Sequence, residues 1–144
     1  MSFLRALDIS ASGLSAQRLR MDVIAENIAN IDTTRTEDGT PYQRRYTVMS
    51  ENKQNNFGTY YERALGNTQQ YSGVKVIEIG EDDAPFKLDY DPTHPDANEE
   101  GYVQRPNVDL AVEMVDMIAA TRSYEANITA VNAVKTMALK ALEI

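Results

Sequence analysis

The sequence predicts a mainly α protein with a β-containing, otherwise irregular insert, its long N- and C-terminal helices paired as an antiparallel coiled coil. Three observations predict it. Apolar residues recur at heptad spacing at both ends of the chain. The middle holds six of the seven glycines and all five prolines. Two stretches within that middle alternate as strands do. The expected divisions are 1–32 for the first helix, 33–106 for the insert and 107–144 for the second helix.

The first helix is expected over 2–31. Leu4, Leu7, Ala11, Leu14, Met21, Ala25 and Ile28 follow a 3-4 spacing in which Arg18 is the one polar entry. Ile24 and Ile31 widen the stripe, Ser2 is a candidate N-cap, and Gly13 allows close approach of a neighbouring backbone. The helix closes on "IAENIANIDTT", where Asn27 and Asn30 interrupt the apolar run. Asparagine tolerates the left-handed conformation and bonds its own backbone, so the pair reads as a helix terminus. The same amides could also tie neighbouring subunits together.

The second helix is expected over 107–142, capped by Asn107 after Pro106. Its stripe runs Leu110, Met114, Met117, Thr121, Tyr124, Ile128, Val131, Lys135, Ala138 and Leu142. Val112, Val115, Ile118, Ala119, Val134 and Leu139 make it apolar on further sides, which demands more than one neighbour. Helices of these lengths span about 45 to 55 Å, which suits a rod.

In the insert, "RYTVMSE" (45–51) and "GVKVIEIGE" (73–81) read as strands, and 51–73 as a loop or flap. "DYDPTHPDANEEGY" reads as a turn-rich loop. Residues 36–106 carry 13 acidic and 7 basic side chains, hence −6 of the net −8. The arginines of "PYQRR" (41–45) can pair with the acidic loop, pair with another subunit, or stay solvated.

Several function classes fall away. A net charge of −8 argues against nucleic-acid binding. The absence of cysteine removes disulfides and thiol nucleophiles, and a single histidine leaves little for a zinc site or a Ser-His dyad. Acidic residues 89–100 suggest calcium, but the EF-hand glycine is missing and Pro92 and Pro95 stiffen the wrong places. A solvated loop of Asx-Pro turns explains them, with His94 at the surface. Nothing sets two carboxylates across a cleft, so no catalytic, cofactor-binding or metal residues are expected. No apolar run reaches the roughly 18 to 20 residues of a membrane span, and "MSFLRALDIS" is not a cleavable secretion signal. Such a chain is cytoplasmic or leaves by a route that needs no signal.

"ALDISASGLSAQRLRMDVIAENIANIDTT" resembles the N-terminal signature of bacterial flagellar axial proteins, asparagine pair included. "GVKVIEI", "APFKLDYDPTHPDANEEGYVQRPNVDL" and "EMVDMIAATRSYEANITAVNAVKTMALKALEI" resemble flagellar basal-body rod proteins of the proximal, C type. Residues 51–73 carry no match. The resemblance implies a structural subunit without catalysis or cofactor, stacked through its coiled-coil core into a rod that crosses the periplasm and transmits torque. The implied partners are other copies of the chain, other rod proteins and the flagellar type III export apparatus, through which it passes uncleaved. Neither nucleic acid nor direct membrane insertion is implied. The alternative is a non-axial helical export adaptor or chaperone, which would be a small stable oligomer.

Both helices join the insert at one end, so they are expected to run antiparallel. Equal distances from that junction pair Ile28 with Leu110, Ala25 with Met114, Met21 with Met117 and Arg18 with Thr121. Continuing, Leu14 meets Tyr124, Ala11 meets Ile128 and Leu7 meets Val131, while Leu4 extends the stripe. Arg18, Thr121 and Glu125 would then form a polar layer that fixes register.

Overall fold

The computed structural model describes residues 3–52, 61, 64, 65 and 72–143. The elements run α1 (Phe3–Ala29), β1 (Arg45–Glu51), β2 (Val74–Glu81), β3 (Lys87–Tyr90), β4 (Tyr102–Arg105) and α2 (Leu110–Leu142). At 1.5 Å per residue the helices are about 40 and 50 Å long. Most of the expected flap, 51–73, lies outside the described residues.

The two helices pack on each other antiparallel. Arg20 meets Asp116 at 3.0 Å, the Thr121 hydroxyl lies 3.7 Å from the Met21 sulfur, and Asn27 donates to Glu113 at 3.1 Å. This alignment falls within about one helical turn of the equal-distance count. Gly13 faces α2 because a Cβ there would come within 2.9 Å of the Asn127 side-chain oxygen. The close neighbour is therefore a side chain, where a backbone was expected.

α1 ends at Ala29, two residues before the expected terminus. Asn30 turns its side-chain amide back to the Glu26 carbonyl at 2.9 Å, and its own carbonyl accepts from Thr33 N–H at 3.0 Å. It does so without a left-handed backbone, since only glycines have positive φ among the described residues. α2 begins three residues later than expected. Asp109 caps it, accepting from Ala111 N–H at 2.9 Å and Val112 N–H at 3.3 Å. Asn107 faces the insert instead: its amide accepts from Arg44 N–H and donates to the Asp82 and Ala84 carbonyls.

β1 and β2 pair antiparallel, and α1 packs against both. Val48 pairs with Glu78 and Met49 with Val76, which makes Ile77 the extra residue of a bulge. The second sheet, β3 with β4, was not expected; it brackets the turn-rich loop and takes in the first two residues and the last of "DYDPTHPDANEEGY". Its four-residue strands are too short to alternate visibly in sequence. Tyr90 and Tyr102 pack edge to face across it at 5.2 Å. The loop between them is built from Asx turns, with Asp91 accepting from Thr93 and Asn98 accepting from Glu100 and Tyr102 N–H.

The buried apolar residues are few: Ala16, Val23, Ile24, Tyr42, Val103, Val108 and Ala120. They gather where the helix roots meet the insert, leaving much of α2 apolar and exposed.

Candidate functional site: a polar joint between the helices and the insert

The row of α1 that faces inward carries Gly13, Ala16, Arg20, Val23, Ile24 and Asn27. Its small residues let α2 come close, and α2 answers with Ala120 and Glu113. Asn27 and Glu113 are both 0% exposed, so a primary amide and a carboxylate lie fully buried where the helix roots meet the insert. Burying such groups is costly unless each polar position finds a partner.

Asn27 finds four. Its amide oxygen accepts from the Tyr42 hydroxyl at 2.9 Å and from Arg45 N–H at 2.9 Å. Its amide nitrogen donates to the Arg45 carbonyl at 2.8 Å and to Glu113 Oε2 at 3.1 Å. That is the full capacity of an asparagine side chain. Glu113 Oε1 accepts from Arg44 Nε at 2.6 Å, a short charge-assisted bond. Arg44 also lies 3.6 Å from both Asp82 and Asp116, and Asp116 holds Arg20 from α1. Outside this centre, Arg45 pairs with Glu26 at 2.8 Å and Glu81 at 3.4 Å, and its guanidinium lies over the Tyr42 ring. Burial, reinforced by the Glu26 carboxylate, pushes the Tyr42 hydroxyl up to about 12, so it remains a donor at neutral pH.

The arginines of "PYQRR" thus pair with α1, α2 and β2, an outcome different from the acidic loop at 89–100. There Arg105 pairs with Asp89 at 2.9 Å and with Asp32 at 3.0 Å. A second anchor fastens the insert nearer the start of α1. Ser12 Oγ accepts from Val74 N–H at 3.1 Å while donating to Ile9 O, and Gly73 sits directly against it.

A cavity of about 290 Å³ adjoins the joint, lined by Arg20, Arg44, Arg45, Glu113 and Asp116 among others. Its charged groups are engaged with one another, so the arrangement holds elements together. Among the described residues no group of three or more His, Asp or Glu could hold a metal ion, and no helix is long and apolar enough to cross a membrane.

The heptad residues divide in two. Leu7, Leu14, Met21, Ile28, Met117, Tyr124 and Val131 are half-buried, whereas Leu4, Ala11, Arg18, Ala25, Leu110, Met114, Thr121 and Ile128 are exposed. Arg18 and Thr121 therefore form no buried polar layer. Thr121 donates to its own helix at Met117 O, and the guanidinium that crosses between helices is that of Arg20. The physical reason is that the inward row is chosen by close approach and by the polar groups the insert can satisfy, and the most apolar row is left on the flank. Asn27 is visible in sequence as an interruption, but its partners are not. The one signal for them is Glu113, a lone carboxylate inside the otherwise apolar "LAVEMV".

Paired terminal helices joined to a small insert through a polar centre define the class of fold. Comparison with known proteins gives the family. Residues 7–35 match the family described as flagella basal body rod protein, and 99–144 match the flagellar basal body rod FlgEFG protein C-terminal family. The chain is 49% identical to the flagellar basal-body rod protein FlgC of Bacillus subtilis, covering 100% of this chain and 99% of the relative. It is 43% identical to that of Borreliella burgdorferi and 42% to that of Salmonella typhimurium, in each case over 100% of this chain and 98% of the relative. The chain belongs to the flagellar basal-body rod protein FlgC family, whose members are structural components of the flagellar rod.

Proposed function

We propose that this chain polymerises, with other copies of itself and with other rod proteins, into the proximal part of the flagellar rod, the shaft that carries torque across the periplasm. The observation that carries this is the uncovered flank of α2, where Leu110, Met114, Ile118 and Leu139 are 47%, 53%, 58% and 53% exposed. Exposed apolar side chains clustered at Leu110 to Ile118 and again at Met137 to Leu142 call for a partner. In this reading residues 1–32 and 107–144 form the stacking core, with Leu4, Ala11, Arg18, Ala25, Leu110, Met114, Thr121 and Ile128 available to neighbouring subunits. Residues 33–106 form the outer unit. The chain reaches the rod through the flagellar type III export apparatus without cleavage.

Ile118→Asp tests the reading, because the exposed side chain contributes little to the fold of a single chain. The variant should keep the helical circular dichroism of the parent and still be exported. Basal bodies purified from cells that carry only this variant should lack the chain, and the cells should not swim. Normal incorporation and swimming would count against polymerisation through this flank. A stable dimer or tetramer that never enters basal bodies would point to the export-adaptor alternative.

A further inference from the structure

Bringing α1 against α2 places the Asn27 amide and the Glu113 carboxylate together, both fully buried. Their mutual bond uses one amide proton and one carboxylate oxygen. Everything else they need comes from residues 42–45. The second amide proton goes to the Arg45 carbonyl, and the amide oxygen takes the Tyr42 hydroxyl and Arg45 N–H. The second carboxylate oxygen takes Arg44 Nε. The cation for Glu113 is therefore on the insert, because Arg20 of α1 is turned to Asp116. Helix pairing without the insert would bury a carboxylate with no counter-charge and an amide with one partner. The dependence also runs the other way. The amide and carbonyl of Arg45 are satisfied by α1, and the Arg44 amide by Asn107 at the approach to α2.

We propose that this joint is a latch: α1 and α2 pair at their roots only when segment 41–45 docks, and the segment docks only on the paired helices. The chain thus offers α2's apolar flank on a fixed helix pair only after the insert is in place. The coupling belongs to the single folded chain, so it stands or falls independently of polymerisation.

Hydrogen exchange on dilute, full-length, monomeric protein tests it. Arg44→Ala should reduce protection in 16–27, 113–120 and the β1–β2 sheet together and by the same factor, about a hundredfold for one partner lost from a buried ion pair. Arg44→Lys, which keeps the charge but loses the fork, should reduce all three by an equal, smaller factor. The double variant Asn27→Leu with Glu113→Leu removes the need for the latch. In it, 16–27 and 113–120 should keep protection to within about tenfold of the parent while 41–51 loses more, giving two separate unfolding steps. Helices that keep parental protection in Arg44→Ala would overturn the latch. So would a double variant in which helices and sheet still lose protection as one unit.

Discussion

Asn27 commits its whole hydrogen-bonding capacity to two other parts of the chain, segment 42–45 and Glu113 of α2, and Tyr42 is the partner whose protonation state can be changed from outside. The folded Tyr42 hydroxyl ionises near 12, above the ordinary value of 10, because burial and Glu26 disfavour phenolate. A raised pKa adds stability that is fully present below 10 and disappears as pH rises from 10 through 12. The expected loss approaches about 3 kcal/mol at the end of that window. It should show as a falling urea midpoint between about pH 9 and 12, beyond the loss in Tyr42→Phe, which has no proton to give up. Parallel profiles for the two proteins would mean that Tyr42 is not buried against Asn27. This site is only half legible in sequence. Asn27 stands out because it breaks an apolar stripe, yet local rules explain it as a helix terminus, a role that Asn30 fills. Which amide goes inward depends on Arg44, Arg45 and Glu113 arriving from other parts of the chain, and no local pattern encodes that.

At the scale of elements, long-period patterns are readable and short ones are not. The helices and β1–β2 each repeat their spacing enough times to be recognised, and their ends shift by a few residues at most. β3 and β4 have four residues each, too few to repeat a spacing, with β3 exposed throughout and β4 burying Val103, so their pairing shows only in three dimensions. The seam of the helix pair departs from the heptad reading because α2 is apolar on several sides, and hydrophobicity cannot rank rows that are all hydrophobic. Packing of the insert on α1 gives a sharper test. Gly73 has φ +79° and touches Ser12, whereas Gly39 has φ +78° and open space within 4 Å of the point a Cβ would occupy. Substituting alanine at either position incurs the cost of a left-handed backbone, about 1 to 2 kcal/mol. Only Gly73→Ala must also push Ser12 away from Val74 N–H and open the second anchor. Its urea midpoint should therefore drop clearly further than that of Gly39→Ala. Equal drops would show that the Ser12 contact contributes nothing.

The whole molecule exposes 10298 Å² of surface at 16.1 kDa, whereas a compact monomer of that mass exposes about 7,400 Å². The excess agrees with two long helices whose shared burial is concentrated at one end. Stability should be graded accordingly. The joint holds Val23, Ile24, Asn27, Glu113 and Ala120, all buried, while Leu4 and Leu142 at the far ends are 66% and 84% exposed. In dilute solution, amide exchange should thus be slowest over 23–27 and 113–120 and should quicken steadily toward both far ends, as local fraying requires. Raising the protein concentration should then slow exchange at both stretches of α2 that leave apolar side chains uncovered, Leu110 to Ile118 and Met137 to Leu142, because these are where a neighbour adds burial. Sulfate should act in the same direction by strengthening apolar association. Strong protection at both far ends of the dilute monomer would mean that the helices complete their packing alone. Exchange that stays independent of concentration at 110–118 and 137–142 alike would leave the uncovered flank no claim to drive assembly, and the polymerising role would need a different surface.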